Sequence, residues 1–194
     1  GKTNKGNPDL KPEESEAFEV GLKYNTYFLR AHIAGFYRKG KNMIDWVKEK
    51  PEDIWESQNL TKVDNLGFET NLSLLPRELG NERFFIRKIE LGYAFIHQDK
   101  DSEGYISNYA LDYLKHKFTA QLSHSIWKGF SATWYVRWQD RAGSYTKYEN
   151  LKPAYEEPYA PYCLVDMKVN WEYQRLNLYA ELNNLLNSTY YDLG

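Results

Sequence analysis

Residues 113–140 read YLKHKFTAQLSHSIWKGFSATWYVRWQD. Phe118, Ala120 and Leu122 alternate with Lys117, Thr119, Gln121 and Ser123. Beyond Lys128-Gly129 the rhythm resumes, with Ala132, Trp134, Val136 and Trp138 set against Thr133, Tyr135, Arg137 and Gln139. A period of two gives a strand one apolar face and one polar face. Two such runs joined by a tight Lys-Gly connection predict an antiparallel hairpin.

The same rhythm extends outward in both directions. It predicts strands over about 15–24, 27–38, 60–75 and 84–97 before this hairpin, and over about 162–171 and 176–187 after it. Taken with 113–126 and 130–140, the pattern is an all-β, antiparallel up-and-down meander of about eight long strands. Ten residues at ~3.4 Å each, tilted by ~40°, rise about 26 Å, the height of the apolar band of an outer-membrane barrel. Strands of soluble proteins average only about 5–6 residues. The connections alternate in length: Asn25-Thr26, 76–83, Lys128-Gly129 and 172–175 are short, whereas 38–59, 98–112 and 141–161 are predicted to be long loops. Short periplasmic turns and long extracellular loops are the habit of outer-membrane barrels. Arg87, at a turn, is the one charge that breaks the parity.

Aromatic residues collect at both strand ends. Tyr24, Tyr27, Phe84, Phe85, Trp127, Phe130, Trp171 and Tyr173 flank the short turns, and Tyr37, Phe95 and Trp138 flank the long connections. Such rings favour headgroup depth, so two girdles are predicted. A mean hydropathy of −0.74 fits a strand-built membrane wall, in which only alternate residues meet lipid. A net charge of −2 argues against a nucleic-acid partner, and Cys163 alone forms no internal disulfide. The other architecture weighed is a soluble β-sandwich or lipocalin-like ligand-binding module, which would turn the apolar face inward.

Three segments carry a family resemblance. Asn7-Pro8-Asp9-Leu10-Lys11-Pro12-Glu13, followed by Phe18-Glu19-Val20-Gly21-Leu22-Lys23-Tyr24, resembles the NPxLKPE…EvGlKy signature of TonB-dependent receptors. Asn65-Leu66-Gly67-Phe68-Glu69 is similar to that family's G-x-E descending strand. Residues 183–191, NNLLNSTYY, resemble the NLFNxxYy segment near the end of its barrel, with Leu186 replacing the usual Phe. Tyr37–Trp46 is similar to the cobalamin and ferric-siderophore branch. The resemblance implies a barrel of roughly 22 strands around an N-terminal plug, with residues 1–194 as its C-terminal segment. The plug, the early strands and a final strand are expected outside this chain. The implied setting is the Gram-negative outer membrane, with lipid, the plug and remaining strands, a small-molecule nutrient and, through an absent N-terminal region, the TonB complex as partners. Such a protein is a receptor for energy-coupled uptake of a siderophore, cobalamin or similar nutrient, and not an enzyme.

The residues themselves offer few reactive groups. His116 and His124 share a face but lie about 27 Å apart along a strand, beyond any shared metal. No nucleophile motif surrounds the serines, and no cofactor is called for. Glu19, Glu69, Glu90, Asp166 and Glu181 are read as polar lining of a watery lumen, paired with Lys23, Lys88, Arg137 and Lys168. Asp99, Asp101 and Glu103, followed by Gly104, match the first half of a Ca²⁺ loop, although Ala110 stands where its bidentate acid belongs. Trp46, Tyr105 and Tyr148 in the long connections are the candidate ligand-binding residues, apolar platforms beside Lys48, Asp101 and Lys147.

Overall fold

The computed structural model describes residues 4–50, 52–80, 83–101, 103–107, 113–149 and 152–191. Side chains at 60, 61, 146, 148, 149, 152–154 and 156 lie outside that description. The strands in chain order are β1 (Asn4–Lys5), β2 (Glu14–Asn25), β3 (Leu29–Lys48), β4 (Trp55–Leu74), β5 (Ile86–Asp101), β6 (Ile106–Ser107), β7 (Leu114–Trp127), β8 (Phe130–Arg141), β9 (Ser144–Glu149), β10 (Lys152–Pro158), β11 (Tyr162–Tyr173) and β12 (Leu176–Leu182). Eight of them form the wall in the order β12-β11-β8-β7-β5-β4-β3-β2. Each neighbouring pair is antiparallel, as the meander requires.

The register turns the sequence alternation into rows that cross the sheet. One row runs Tyr24–Ala31–Leu72–Leu91–Ala120–Val136–Val165. The adjacent row on the other face runs Lys23–His32–Asn71–Gly92–Thr119–Arg137–Leu164. Between the aromatic ends, over residues 18–24, 29–37, 66–74, 89–97, 118–126, 130–138 and 163–171, the apolar rows contain no Lys, Arg, Asp or Glu; charges such as Glu16, Lys39 and Asp64 take that parity only beyond them. No second sheet covers them: Val20 is 77% exposed and Phe18 68% exposed. Ile33, Leu72 and Leu91 are also exposed, and Val136 and Val169 are half-exposed. Only Ala34, Val47, Ala132 and Leu164 are buried hydrophobics among the described residues, so a sandwich core is absent there. Burying such a face would contribute about 1.5–3 kcal/mol for each Val, Leu, Ile or Phe.

Turn chemistry closes the short ends. Lys128 and Gly129 take φ of 35° and 87°, the left-handed pair of a tight hairpin. The Gly129 carbonyl accepts a hydrogen bond from Glu172 N–H at 3.1 Å. A two-residue turn at Gln174-Arg175 follows the same logic, with Gln174 at φ 50°. Thr26 closes its turn through Leu29 N–H donating to Thr26 Oγ1 at 3.0 Å. A 3-10 turn, Pro76–Leu79, occupies the connection between β4 and β5. The Arg87 exception has a structural cause. A bulge between Ile86 and Lys88 displaces Arg87, and its Nε donates to Ser125 Oγ at 2.9 Å.

Aromatic residues cluster at both ends of the strands. At the turn ends Phe84 meets Phe85 at 5.2 Å, and Phe130 stacks on Trp171 at 5.9 Å. Toward the opposite ends Phe68 meets Phe95 at 5.9 Å, and His116 lies 5.0 Å from Phe95.

Four sequence expectations are corrected. The 38–59 stretch is mostly strand, because β3 runs to Lys48 and β4 begins at Trp55. Residues 141–161 contain a hairpin of β9 with β10, and 98–112 carries the end of β5 and the short β6. The last strand ends at Leu182, not Asn187, since Asn184 and Asn187 take left-handed φ of 52° and 50°.

Three substitutions test this wall in the intact protein. Leu91→Arg places a charge at mid-height on the apolar face and should cost about 2–4 kcal/mol in lipid-vesicle unfolding, while Gln121→Arg on the polar face should change little. Gly129→Ala would set a Cβ 2.3 Å from the Glu172 carbonyl oxygen at a positive φ. It should destabilise by at least about 1–2 kcal/mol, read in the same unfolding measurement.

Candidate functional site

The polar rows line a hollow of about 570 Å³ on one side of the wall. Lys23, Arg30, His32, Glu90, Arg137 and Asp166, drawn from five strands, face it. Several expected pairings form along these rows. Lys168 Nζ lies 2.8 Å from Glu181 Oε1, and Lys88 Nζ lies 2.7 Å from Glu90 Oε1. His32 Nδ1 lies 3.7 Å from Glu69 Oε1. Asp166 accepts the Asn184 N–H at 2.7 Å, and this bond holds the start of the NNLLNSTYY segment against β11. Ser188 continues that docking by donating to the Cys163 carbonyl at 2.7 Å. These groups make a charged, water-compatible wall and assemble no acid–base or nucleophilic arrangement.

At the end opposite the tight turns, β3 and β4 continue together past their neighbours. Bulges between Gly40 and Ile44, with Asn42 at φ 56°, carry the pair through a bend. The NPDLKPE segment is strapped along this extension. β1 pairs with β4 in parallel, and Lys5 Nζ bonds Glu56 Oε1 at 2.8 Å. That contact holds the Glu56 carboxyl below the usual carboxylate range. Asn7 N–H donates to Ser57 Oγ at 3.0 Å. Asn59 grips the Lys11 backbone from both sides, accepting its N–H at 2.6 Å and donating to its carbonyl at 2.8 Å. Glu13 accepts the Ile44 N–H at 2.8 Å. The motif's polar residues therefore serve as a tether for the β3–β4 extension.

Trp46 sits on this extension, half-buried opposite Ser57. Lys48 Nζ stands 4.5 Å from the Trp55 ring. Tyr105, half-exposed, lies just before β6, which adds to β3 through Val47↔Ser107 and Lys48↔Ile106. The structure thus brings Trp46 and Tyr105 to the same extension. Tyr148 stands apart on β9, where its backbone pairs with Pro153, and its side chain lies outside the described residues.

The β9–β10 hairpin has its own polar lock. Lys147 Nζ lies 2.8 Å from Glu157 Oε2 and 5.5 Å from the Tyr155 ring centre. The hydrogen bond to Glu157, reinforced by Tyr155, pushes the Lys147 pKa well up, and the Lys147 ammonium holds the Glu157 carboxyl down. Burial, then the hydrogen bond to Glu157, pushes the Tyr145 hydroxyl up. Tyr145 stacks on Tyr191 at 4.6 Å and Tyr162 on Tyr190 at 4.7 Å. Tyr191 thereby docks the NNLLNSTYY segment on the hairpin base, and Tyr190 docks it on the start of β11.

The candidate Ca²⁺ stretch begins on β5 and runs partly outside the described residues. Asp99 and Asp101 are strand residues of β5, opposite Asp64 and Lys62. Asp101 accepts the Glu103 N–H at 2.9 Å in a local turn. Ser102 and Ala110 lie outside the described residues, among which no three His, Cys, Asp or Glu side chains converge on a metal position. A group the spacing did not reveal lies next to it. Lys100, between the two aspartates, is buried against Asp45 at 2.9 Å.

Comparison with known proteins adds a family. The profile of "TonB dependent receptor-like, beta-barrel" matches residues 1–185. The vitamin B12 transporter BtuB of Vibrio vulnificus (strain YJ016) is 28% identical over 105 residues, covering 47% of this chain and 17% of that protein. The FrpB iron transporter of Neisseria meningitidis (F3-3 variant) superposes on 97% of the chain and 29% of its own, with a TM-score of 0.69 at 17% identity. The copper transporter OprC superposes on 95% of the chain and 27% of its own, with a TM-score of 0.68 at 18% identity. The chain thus spans less than a third of the length of each.

The hairpin lock predicts a pH dependence. The folded Glu157 pKa is depressed, so its contribution is complete above the unfolded value of about 4.3 and fades as pH falls through the folded value. Lys147 is raised, so its contribution persists until pH climbs past the lysine range. Amide-exchange protection of β9–β10, corrected for intrinsic rate, should hold from pH 8 to pH 5 and fall below about pH 4. Glu157→Gln should abolish that fall.

Proposed function

The chain belongs to the TonB-dependent receptor β-barrel family, and on that premise we propose that it builds part of the wall and outer mouth of a Gram-negative outer-membrane receptor. Its task is energy-coupled uptake of a scarce nutrient of the siderophore or cobalamin class, too large for passive diffusion. The observation that carries this reading is the pair of faces on one sheet: an apolar face free of charge between its aromatic ends, and a charged face lining a hollow. A soluble binding module has no use for uncovered Val20, Leu22 and Ile33. The likeness to BtuB over residues of this chain favours testing a corrinoid first.

In the intact receptor, a plug outside this chain would fill the lumen and take the pull of the TonB complex. The β3–β4 extension, the β5–β7 loop and the β9–β10 hairpin meet the ligand first, because they stand beyond the girdle in water. Trp46, Tyr105 and Tyr148 are the platforms proposed for capture. Replacing each with Ala should weaken binding on whole cells by at least about 1 kcal/mol, the size of an energetically important contact. Radiolabelled cyanocobalamin and a panel of ferric siderophores are the probes. Unchanged affinity of all three variants for the probe that binds would reduce this segment to scaffold.

A further inference from the structure

The β5–β7 loop crosses the sheet edge it leaves. β5 pairs with β4, yet β6, which follows it, pairs with β3 on the far side of the β3–β4 extension. The crossing is held by side chains that are almost dry. Lys100 Nζ lies 2.9 Å from Asp45 Oδ2, and the two side chains are 5% and 4% exposed. The Ser107 hydroxyl donates to the same Asp45 oxygen and accepts from Lys100, and Val47 beside them is wholly buried. Two ladder residues make a weak strand, since each backbone hydrogen bond contributes little net stability. A buried charge left without its partner is costly, so the ion pair decides whether the crossing persists.

The geometry points to Asp45 and Lys100 as a positioning pair that straps residues 103–107 across the outer end of the β3–β4 hairpin. Tyr105 lies between the two anchors, Lys100 on one side and Ser107 on the other, so the strap sets where its ring stands at the mouth. The consequence for ligand capture rests on the function proposed above; the strap itself does not.

Hydrogen exchange on the intact receptor reads the strap directly. In Lys100→Met and Asp45→Asn, residues 103–107 should exchange roughly tenfold or more faster, while protection of 88–97 on β5 stays unchanged. The exchanged pair Asp45→Lys/Lys100→Asp should recover part of the protection, which a purely steric role for either side chain would not produce. Wild-type protection of 103–107 in both single variants would overturn the proposal. Where those variants do not fold, Ser107→Ala keeps both charges and should still speed exchange several-fold; no change there would overturn it equally. On cells, cyanocobalamin and ferric-siderophore affinity should fall while the number of binding sites holds. A loosened strap with unaltered affinity upholds the positioning pair and counts against the capture role of Tyr105.

Discussion

On the outer-membrane reading proposed above, everything in this wall follows from the need to pair backbone N–H and C=O groups where no water reaches. In hydrocarbon an unpaired amide costs several kcal/mol, so a strand can stay there only inside a continuous ladder. Eight long strands in antiparallel register meet that need for one another. Because side chains alternate along each strand, the ladder also sorts them, placing Leu72, Leu91, Ala120 and Val136 in one row and Asn71, Gly92, Thr119 and Arg137 in the next. Apolar and charged faces are one consequence of that single pairing. β2 and β12 each keep an edge without a strand among the described residues, and in a membrane such edges require further strands.

Beyond the girdle water satisfies the backbone, and the architecture changes character. Bulges appear between Gly40 and Ile44, short strands pair across unusual partners, and side chains take over the anchoring. Asn59 on Lys11, Glu13 on Ile44 and Lys100 on Asp45 each join segments far apart in the chain. The outer end is thereby held by polar locks on which the ladder below does not depend.

The wall was legible in the sequence because its physics is periodic. Phe118 to Leu122 and Ala132 to Trp138 declare their faces without reference to anything distant. The outer halves of β3 and β4 were not legible. A bulged strand loses its period at Asn42, and the charge-rich run from Lys48 to Glu56 looks like a solvated loop when its partners are unseen. At the other end the alternation suggested a strand to Asn187, whereas left-handed backbone at Asn184 ends the ladder early. The candidate site divides the same way. Inward carboxylates were readable from parity, and Lys168–Glu181 and Lys88–Glu90 bear that out. Asp45 and Lys100 are separated by 55 residues, and neither carries a local signal of burial. The spacing of Asp99, Asp101 and Glu103 drew attention instead, although the buried lysine between the aspartates is the better-anchored group.

The central claim is that alternate residues of one strand meet lipid and water. Single cysteines placed in turn at positions 117–123 on β7, in the intact receptor with Cys163 replaced by Ser, test it most directly. In whole outer membranes, a water-soluble maleimide should label positions 117, 119, 121 and 123, while a lipid-soluble reagent should prefer 118, 120 and 122. Labelling without that period of two, or with the two reagents exchanged, would contradict the account.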